Sequence, residues 1–305
     1  MVRPGPSGGI LSPVILTAGS LHHDVIVTAP HLPAPDETVT GSAVRYAFGG
    51  KGGNQAVAAA RMGAVSHMAG AVGTDAAAGV LLAALDAAGV DRAGVVQVPG
   101  ASGMSVAIVE AGGSYGAVIV SAANLAFDPA GVVFPPGCFA IVLQNEIPEA
   151  ANLVLARRAR AAGLRVILNA APVRAGSAAL LALCDLVVVN RVEAAALAGS
   201  ATAPDRAVAA LRALGAGAVL VTLGGEGLLG EGFAQPAFAV PVISTHGAGD
   251  CFVGALAAEW GRGAALPEAA RFAQAAAALH VAALPDARAG VTEAAVRALL
   301  ARGLA

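Results

Sequence analysis

Between residues 139 and 222, short runs rich in Val, Ile and Leu alternate with alanine-rich stretches of helical character. Phe139–Gln144, Arg165–Asn169, Leu186–Asn190 and Ala218–Thr222 read as strands, and 149–162, 178–183, 193–197 and 205–214 as helices. Strands that are apolar at consecutive positions are covered on both faces, and helical crossovers between them give a parallel sheet. Strand twist makes those crossovers right-handed. In such a sheet, ligands sit beyond the carboxyl ends of the strands. Gln144, Glu146, Asn169, Asn190 and Thr222 stand at those ends.

The flanking segments extend this plan. Val14–Gly19 reads as a first buried strand, 52–62 as a helix, Val65–Val72 as a strand and 75–88 as a helix capped by Thr74. Thr38–Phe48, Val95–Val98, Ser105–Glu110 and Gly116–Ser121 are β-type segments that break the alternation. The last three read as a meander or hairpin with a turn at Gly112-Gly113. They lie near polar candidates, so a small β-sheet cover, from segments at about 24–48 and 95–121, is expected over a site. Helices at 248–260, 267–283 and 292–302 close the chain. One α/β domain over 14–305 follows, preceded by a Gly/Pro/Ser-rich tail at 1–13 that is expected to be disordered.

Composition removes several classes. The hydrophobic fraction is 57%, but alanine supplies much of it, and no run of 18 apolar residues lacks a charge or a helix breaker. Ile15-Leu16 is too short for a signal-peptide core. Net charge is −2, with no basic tract and few aromatics, so neither nucleic acid nor membrane is an expected partner. Cys138, Cys184 and Cys251 are far apart, with no redox or metal spacing. Reduced thiols in a cytoplasm are the natural expectation.

Two glycine-rich segments almost 200 residues apart each precede a helix: Gly49-Gly50-Lys51-Gly52-Gly53-Asn54-Gln55 and Thr245-His246-Gly247-Ala248-Gly249-Asp250. Glycine lets main-chain N–H groups approach anionic oxygens, and a helix start adds unpaired donors and a positive dipole end. Residues 247–250 are therefore a candidate anion cradle for a transferred phosphoryl group. Asp250, expected to stay ionised in the first helical turn, can accept the proton of an attacking hydroxyl. The amide of Asn54 suits sugar hydroxyls. The first segment matches neither a P-loop nor a dinucleotide fingerprint. His22 and His23, adjacent on a strand, point to opposite faces and make no metal pair. Cys251 is expected to be a packed, neutral thiol, and His280 a core or nucleotide-adjacent histidine.

Over residues 14–302 the chain resembles the ribokinase family of sugar kinases, the PfkB superfamily, with the motifs in the family's order. Gly19-Ser20 with Asp24 resembles its opening substrate motif, and Ala47 to Ala56 its first signature in the ribokinase form. Leu143 to Pro148 resembles a strand end bearing a substrate-side glutamate, and Asn190-Arg191-Val192-Glu193 the Asn-x-x-Glu motif. Thr222 to Gly227 resembles the nucleotide-side loop, and Thr245 to Asp250 the second signature. The resemblance implies a Rossmann-like, mostly parallel sheet flanked by helices, a small β-lid that serves as a homodimer interface, and ATP-dependent phosphorylation of a sugar's primary hydroxyl. It implies that His22, Asp24, Gly50, Lys51, Asn54 and Glu146 bind the sugar, and that Asn190, Thr222, Gly224 and Gly227 lie near ATP. Gly247, Ala248 and Gly249 would form the anion hole, Asp250 would be the base, and Glu193 would act indirectly on Mg²⁺. D-ribose is the leading substrate. His22, where ribokinases have Asn, keeps another furanose, a nucleoside or a sugar acid as alternatives, and a non-catalytic sensor is a further one. Ser244 stands where the family has the aspartate of its monovalent-cation site, and the loop Asp286–Gly290 also departs, so strong K⁺ activation is not expected.

Overall fold

A computed structural model describes residues 12–110, 115–174, 178–199 and 203–303. Most of the expected tail and the Gly112-Gly113 turn lie outside the described residues. The chain begins with β1 (Val14–Ala18), β2 (His22–Ala29), β3 (Ala43–Gly49), α1 (Lys51–Arg61), β4 (Val65–Val72), α2 (Ala76–Ala87), β5 (Asp91–Gln97), β6 (Gly103–Glu110) and β7 (Tyr115–Val120). It continues through β8 (Cys138–Gln144), α3 (Glu149–Ala161), β9 (Arg165–Asn169), α4 (Ala178–Leu181), β10 (Leu186–Asn190), α5 (Arg191–Leu197), α6 (Pro204–Ala213) and β11 (Val219–Thr222). It ends with β12 (Leu228–Gly230), β13 (Phe233–Gln235), α7 (Ala248–Gly261), α8 (Leu266–Ala282) and α9 (Glu293–Ala301).

The main sheet has the order β13-β12-β11-β10-β9-β8-β1-β4-β5. Its strands pair in parallel from β5 to β11, and β12 and β13 add an antiparallel edge. Successive residues of each strand feed opposite cores. Ile15, Val142, Ile167, Val188 and Leu220 pack under α1, α7, α8 and α9. Leu16, Leu143, Leu168, Val189 and Val221 pack under α3 to α6. Each such fully buried aliphatic side chain stabilises the fold by about 1.5–3 kcal/mol relative to exposure. From β1 the chain runs outward to β4 and β5 on one side and from β8 to β11 on the other. The crevice beyond the carboxyl ends of β1 and β8 is thus a topological switch point, where open α/β sheets bind ligands.

The second sheet has the order β3-β2-β6-β7, with β2 antiparallel to β3 and parallel to β6. Opposed residues share a face. Asp24 therefore lies beside Ala47 and Ser105, and Ile26 beside Arg45 and Ala107, on the face turned to the main domain. The other face holds Val25, Tyr46, Val106 and Val118.

Three local expectations are corrected. Residues 95–97 belong to β5 in the main sheet, because α2 supplies the crossover that a parallel partner of β4 needs. The cap of α2 is Asp75, whose carboxylate accepts from Ala78 N–H at 3.2 Å, not Thr74. The strand expected from Thr38 starts at Ala43. The β12–β13 hairpin went unread because three-residue strands show no periodicity.

Candidate active site

Gly50 caps α1 at φ 86°, and a Cβ there would lie 2.8 Å from both Ser20 O and His22 N, so only glycine fits. This tight turn seats the α1 N-terminus on the end of β1. Gly53 N–H donates to Ser20 O at 2.9 Å, and Lys51 N–H donates to Glu146 Oε2, also at 2.9 Å. Ser20 Oγ donates to that same carboxylate oxygen. Glu146 thereby ties the loop after β8 to α1.

One turn further, α1 delivers Asn54 and Gln55 to the start of α7. Gln55 Nε2 donates to Asp250 Oδ1 at 2.9 Å, and Asn54 Nδ2 to Asp250 Oδ2 at 3.3 Å. Asp250 is only 7% exposed, so it is not a solvated helix cap. Behind it runs a buried chain of amides. Gln55 also donates to Asn169 Oδ1 at 3.1 Å and accepts from Gln144 Nε2 at 2.7 Å, while Asn169 Nδ2 donates to Val188 O at 3.2 Å. The carboxylate is thus anchored, through two side chains, to β8, β9 and β10. Apart from Gln144 Oε1, which is buried without a partner among the described residues, the amides of this chain are hydrogen-bonded to one another, and such a network favours one geometry.

Gly247 caps α7 in the left-handed region, at φ 75°. Ala248 N–H is drawn to Thr245 O at 3.1 Å, and Cys251 N–H closes the first turn on Gly247 O at 2.9 Å. Gly249 and Asp250 are first-turn residues, whose N–H groups have no intrahelical acceptor. His280 Nε2 lies 2.9 Å from His246 O. A carbonyl only accepts, so Nε2 carries the proton. Burial pushes this imidazole down to about 4, so it is neutral at physiological pH.

The charges around the site are coupled. Burial acts against the Lys51 ammonium, but the carboxylates of Asp250, Glu146 and Glu193 outweigh it and hold the group above its ordinary value. Burial raises Asp250 above the usual carboxylate range, against the opposing pull of Lys51, Gln55 and Asn54. The helix dipole expected to favour the Asp250 carboxylate is opposed by desolvation, which is the larger effect and makes ionisation less easy than at an exposed helix start. Burial also raises Glu193. The Cys251 thiol, buried, is pushed up to about 12 and is inert, as expected.

Facing this floor, the small sheet presents Asp24, which accepts from Ser105 Oγ at 2.5 Å and lies 3.9 Å from His246 Nε2. His22 is buried, and its Nε2 has no partner among the described residues. His23 lies on the opposite face, stacked on Tyr46 at 5.4 Å between centroids. Asn190 caps α5 in a reciprocal box. Its side chain accepts from Glu193 N–H, and Glu193 Oε2 accepts from Asn190 N–H, both at 2.8 Å. Thr222 ends the adjacent β11, and Gly224 and Gly227 shape the following turn with φ of 61° and 109°. These four form a second group, at the neighbouring strand ends, apart from the Asp24–Asn54–Asp250 cluster.

This arrangement has known counterparts. The pfkB family of carbohydrate kinases matches residues 14–286. The chain belongs to that family. Ribokinase of Haemophilus influenzae is 32% identical over 278 residues, covering 86% of this chain and 90% of that protein. The structure of Arabidopsis thaliana ribokinase complexed with ribose and ATP superposes with a TM-score of 0.85 at 29% identity, covering 95% of this chain and 99% of that one. Thermotoga maritima ribokinase gives a TM-score of 0.86 at 27% identity, with the same coverage. As a pfkB carbohydrate kinase the chain is a sugar phosphotransferase with the mostly parallel α/β fold expected.

Sequence reasoning placed Gln144 and Asn169 at the strand ends and Ser20 in the opening motif, but gave them no partners; it missed Ser105 and the linking of Gln55, Gln144 and Asn169 into one chain. The only signal for the amides was that Gln144 and Asn169 each end an otherwise apolar strand.

Proposed function

We propose that this kinase transfers the γ-phosphoryl group of ATP to the primary hydroxyl of D-ribose, giving ribose 5-phosphate. The observation that carries the reading is the placement of Asp250. It is buried at the start of α7 and oriented by Asn54 and Gln55, and Asp24 of the small sheet approaches His246 of the loop that precedes that helix. The names of the relatives support ribose, and the H. influenzae match extends over nearly the whole chain.

Asp24, Asn54, Lys51, Gly50, Glu146 and His22 form the sugar side, with the small sheet as lid. The nucleotide lies over Asn190, Thr222, Gly224 and Gly227, with its terminal phosphate at the α7 N-terminus. Asp250 takes the proton of the sugar hydroxyl as that oxygen bonds to the γ-phosphorus and the bond to the leaving ADP oxygen breaks, with its electron pair going to ADP. The N–H groups of Gly247, Gly249 and Asp250 face the charge on the transferred group, while that of Ala248 is engaged by Thr245 O. A raised carboxyl pKa makes Asp250 a stronger base when ionised.

Mg²⁺ supplies charge neutralisation on the ATP phosphates. Among the described residues no group of three His, Cys, Asp or Glu could cage a metal. Glu193, with Oε2 committed to Asn190 N–H, suits an indirect, water-bridged role. The monovalent-cation position does not fit K⁺. Ser244 O already accepts from the Arg288 guanidinium at 3.2 Å, which puts a fixed positive charge where the family implies an ion. The outer face of the small sheet exposes Val44, Tyr46, Val106, Val118 and Val120, which fits a homodimer formed through the lid. Free, buried thiols fit a cytoplasmic enzyme, and no helix among the described residues could span a membrane.

Turnover measured over ribose, deoxyribose, fructose and common nucleosides tests the substrate. Highest kcat/KM on ribose is expected. Turnover confined to a nucleoside would reject ribose and point to the unpartnered His22 Nε2 as a base-recognition group.

A further inference from the structure

Within Asn190-Arg191-Val192-Glu193, the first and last residues close the cap of α5 on each other, which leaves the Arg191 side chain outside the cap. Its Nη2 lies 2.6 Å from Glu226 Oε2. Glu226 ends the 3₁₀ turn Gly224–Glu226 that follows β11. Asn190 and Thr222, the last residues of β10 and β11, are register partners. The ion pair therefore bridges two turns that leave neighbouring strand ends.

This pair is weakly held. The Arg191 side chain is 49% exposed and that of Glu226 71%. Ion pairs so open to solvent contribute little, because water competes and two long side chains must be ordered. Structural arginines of this chain have more partners. Arg262 reaches Met62 O, Glu259 and Glu293, and Arg297 reaches Glu259 and Glu293. Arg191 has one ion pair among the described residues. The turn it touches is uncrowded, since a Cβ added to Gly224 or Gly225 would meet nothing within 4 Å.

The charge balance favours an exchange of partners. A polyphosphate beside these turns meets two carboxylates, Glu193 and Glu226. Glu193 Oε2 is committed to Asn190 N–H, and Lys51 is drawn toward Asp250, Glu146 and Glu193. Arg191 is the one cation within 190–193 and 222–227. A phosphate offers a guanidinium paired oxygen acceptors, in the geometry that its fork of N–H donors matches.

On the placement of ATP over Asn190, Thr222, Gly224 and Gly227, we infer that Arg191 is a nucleotide-binding residue whose guanidinium leaves Glu226 for a phosphate of the bound nucleotide. Glu226 is then a competitor that occupies Arg191 in the empty enzyme and weakens nucleotide binding. The exchange makes and breaks no covalent bond. It sets the affinity for the nucleotide and leaves the proton transfer to Asp250 untouched. Its signature is that the two members of one ion pair act with opposite sign. A pair that merely braced the turns would give losses of the same sign from either side.

The test is calorimetric binding of ADP and of adenosine, with Mg²⁺ and without sugar, to the full chain and to Arg191→Gln, Glu226→Gln and the double variant. Both side chains are exposed, so the variants keep the fold, which a thermal melt checks. The Kd for ADP should rise about tenfold in Arg191→Gln and fall about two- to fivefold in Glu226→Gln. Adenosine, which has no phosphate, should bind all four proteins alike. In the Arg191→Gln background, Glu226→Gln should give little of that gain. KM for ATP should follow the Kd for ADP, with KM for the sugar unchanged. Weaker ADP binding in both single variants, or a change for adenosine as large as that for ADP, would overturn the proposal and leave the pair a brace. An equal gain from Glu226→Gln in both backgrounds would also overturn it, since Glu226 would then repel the nucleotide directly. Each of these results leaves the placement of ATP standing. Wild-type protein that binds no ADP would reject that placement, and the role of Arg191 with it.

Discussion

Replacing Asp250 by Asn separates the chemistry from the architecture. The amide keeps an oxygen for Gln55 Nε2, now at 2.9 Å from Oδ1, and puts an NH₂ group opposite Asn54, 3.3 Å from Oδ2. A flip of the Asn54 amide restores that hydrogen bond, since its carbonyl can accept where its NH₂ donated. Geometry is therefore retained and only the base is lost. General-base catalysis contributes about 10²–10⁴-fold, so kcat should fall by that factor, or about 3–5 kcal/mol of barrier. Folding stability should move the other way or hardly at all. Burial raises the Asp250 carboxyl, so its ionised form at neutral pH is a cost to the native state that the amide does not incur. Lys51 still faces Glu146 and Glu193. Coupled-enzyme turnover, sugar binding by calorimetry and a thermal melt at pH 7 check all three expectations. A variant that keeps more than a tenth of wild-type kcat would refute the assignment of the base. A variant that melts well below the wild type would refute the claim that the carboxylate is held there at a cost.

Further outcomes follow from the same geometry. Gln55→Leu removes the donor that links Asp250 to Asn169 and Gln144, and should lower kcat at least tenfold with little change in KM. Stability should fall by about 1–3 kcal/mol, measured by urea unfolding, because buried amide groups lose their partner. The acid limb of kcat/KM should lie above the ordinary carboxylate range, since desolvation raises Asp250, and Lys51→Met should move it to still higher pH by removing the opposing cation. A pH–rate profile that does not shift in Lys51→Met contradicts this coupling. Replacing KCl by choline chloride should leave kcat within twofold, because the Arg288 guanidinium already engages Ser244 O. Activation of tenfold or more by K⁺ would show that the guanidinium yields to the ion.

What was legible in the sequence had a local cause. The consecutive apolar residues of β8, β9 and β10 can only be buried on both sides, which fixes a parallel sheet with helices on each face. Gly50 and Gly247 announced their helix starts because both positions need positive φ. What was not legible depended on partners distant in the chain. Val95–Val98 has a pattern that suits either a hairpin or the edge of the main sheet, and only the crossover through α2 decides between them. Gln55, Gln144 and Asn169 are unremarkable apart, and they become one support for a carboxylate only when β8 and β9 bring them beside α1.

The desolvation of Asp250 was hidden from the sequence for the same reason, and it bears on the proposed mechanism. From the sequence, the dipole of α7 is visible and favours a carboxylate by about 0.3–1 kcal/mol. The packing of α1 across α7 is not visible, yet it removes the water that would have solvated that charge. An easily ionised aspartate would be a weak base with little drive to take a hydroxyl proton. A buried one, kept charged by Lys51 and two side-chain amides, combines ionisation with basicity. The first glycine segment thus has two tasks. In the proposed mechanism it supplies Asn54 and Lys51 to the sugar side, and through Gln55 and the same lysine it sets the state of the proposed base in the second segment, 195 residues away.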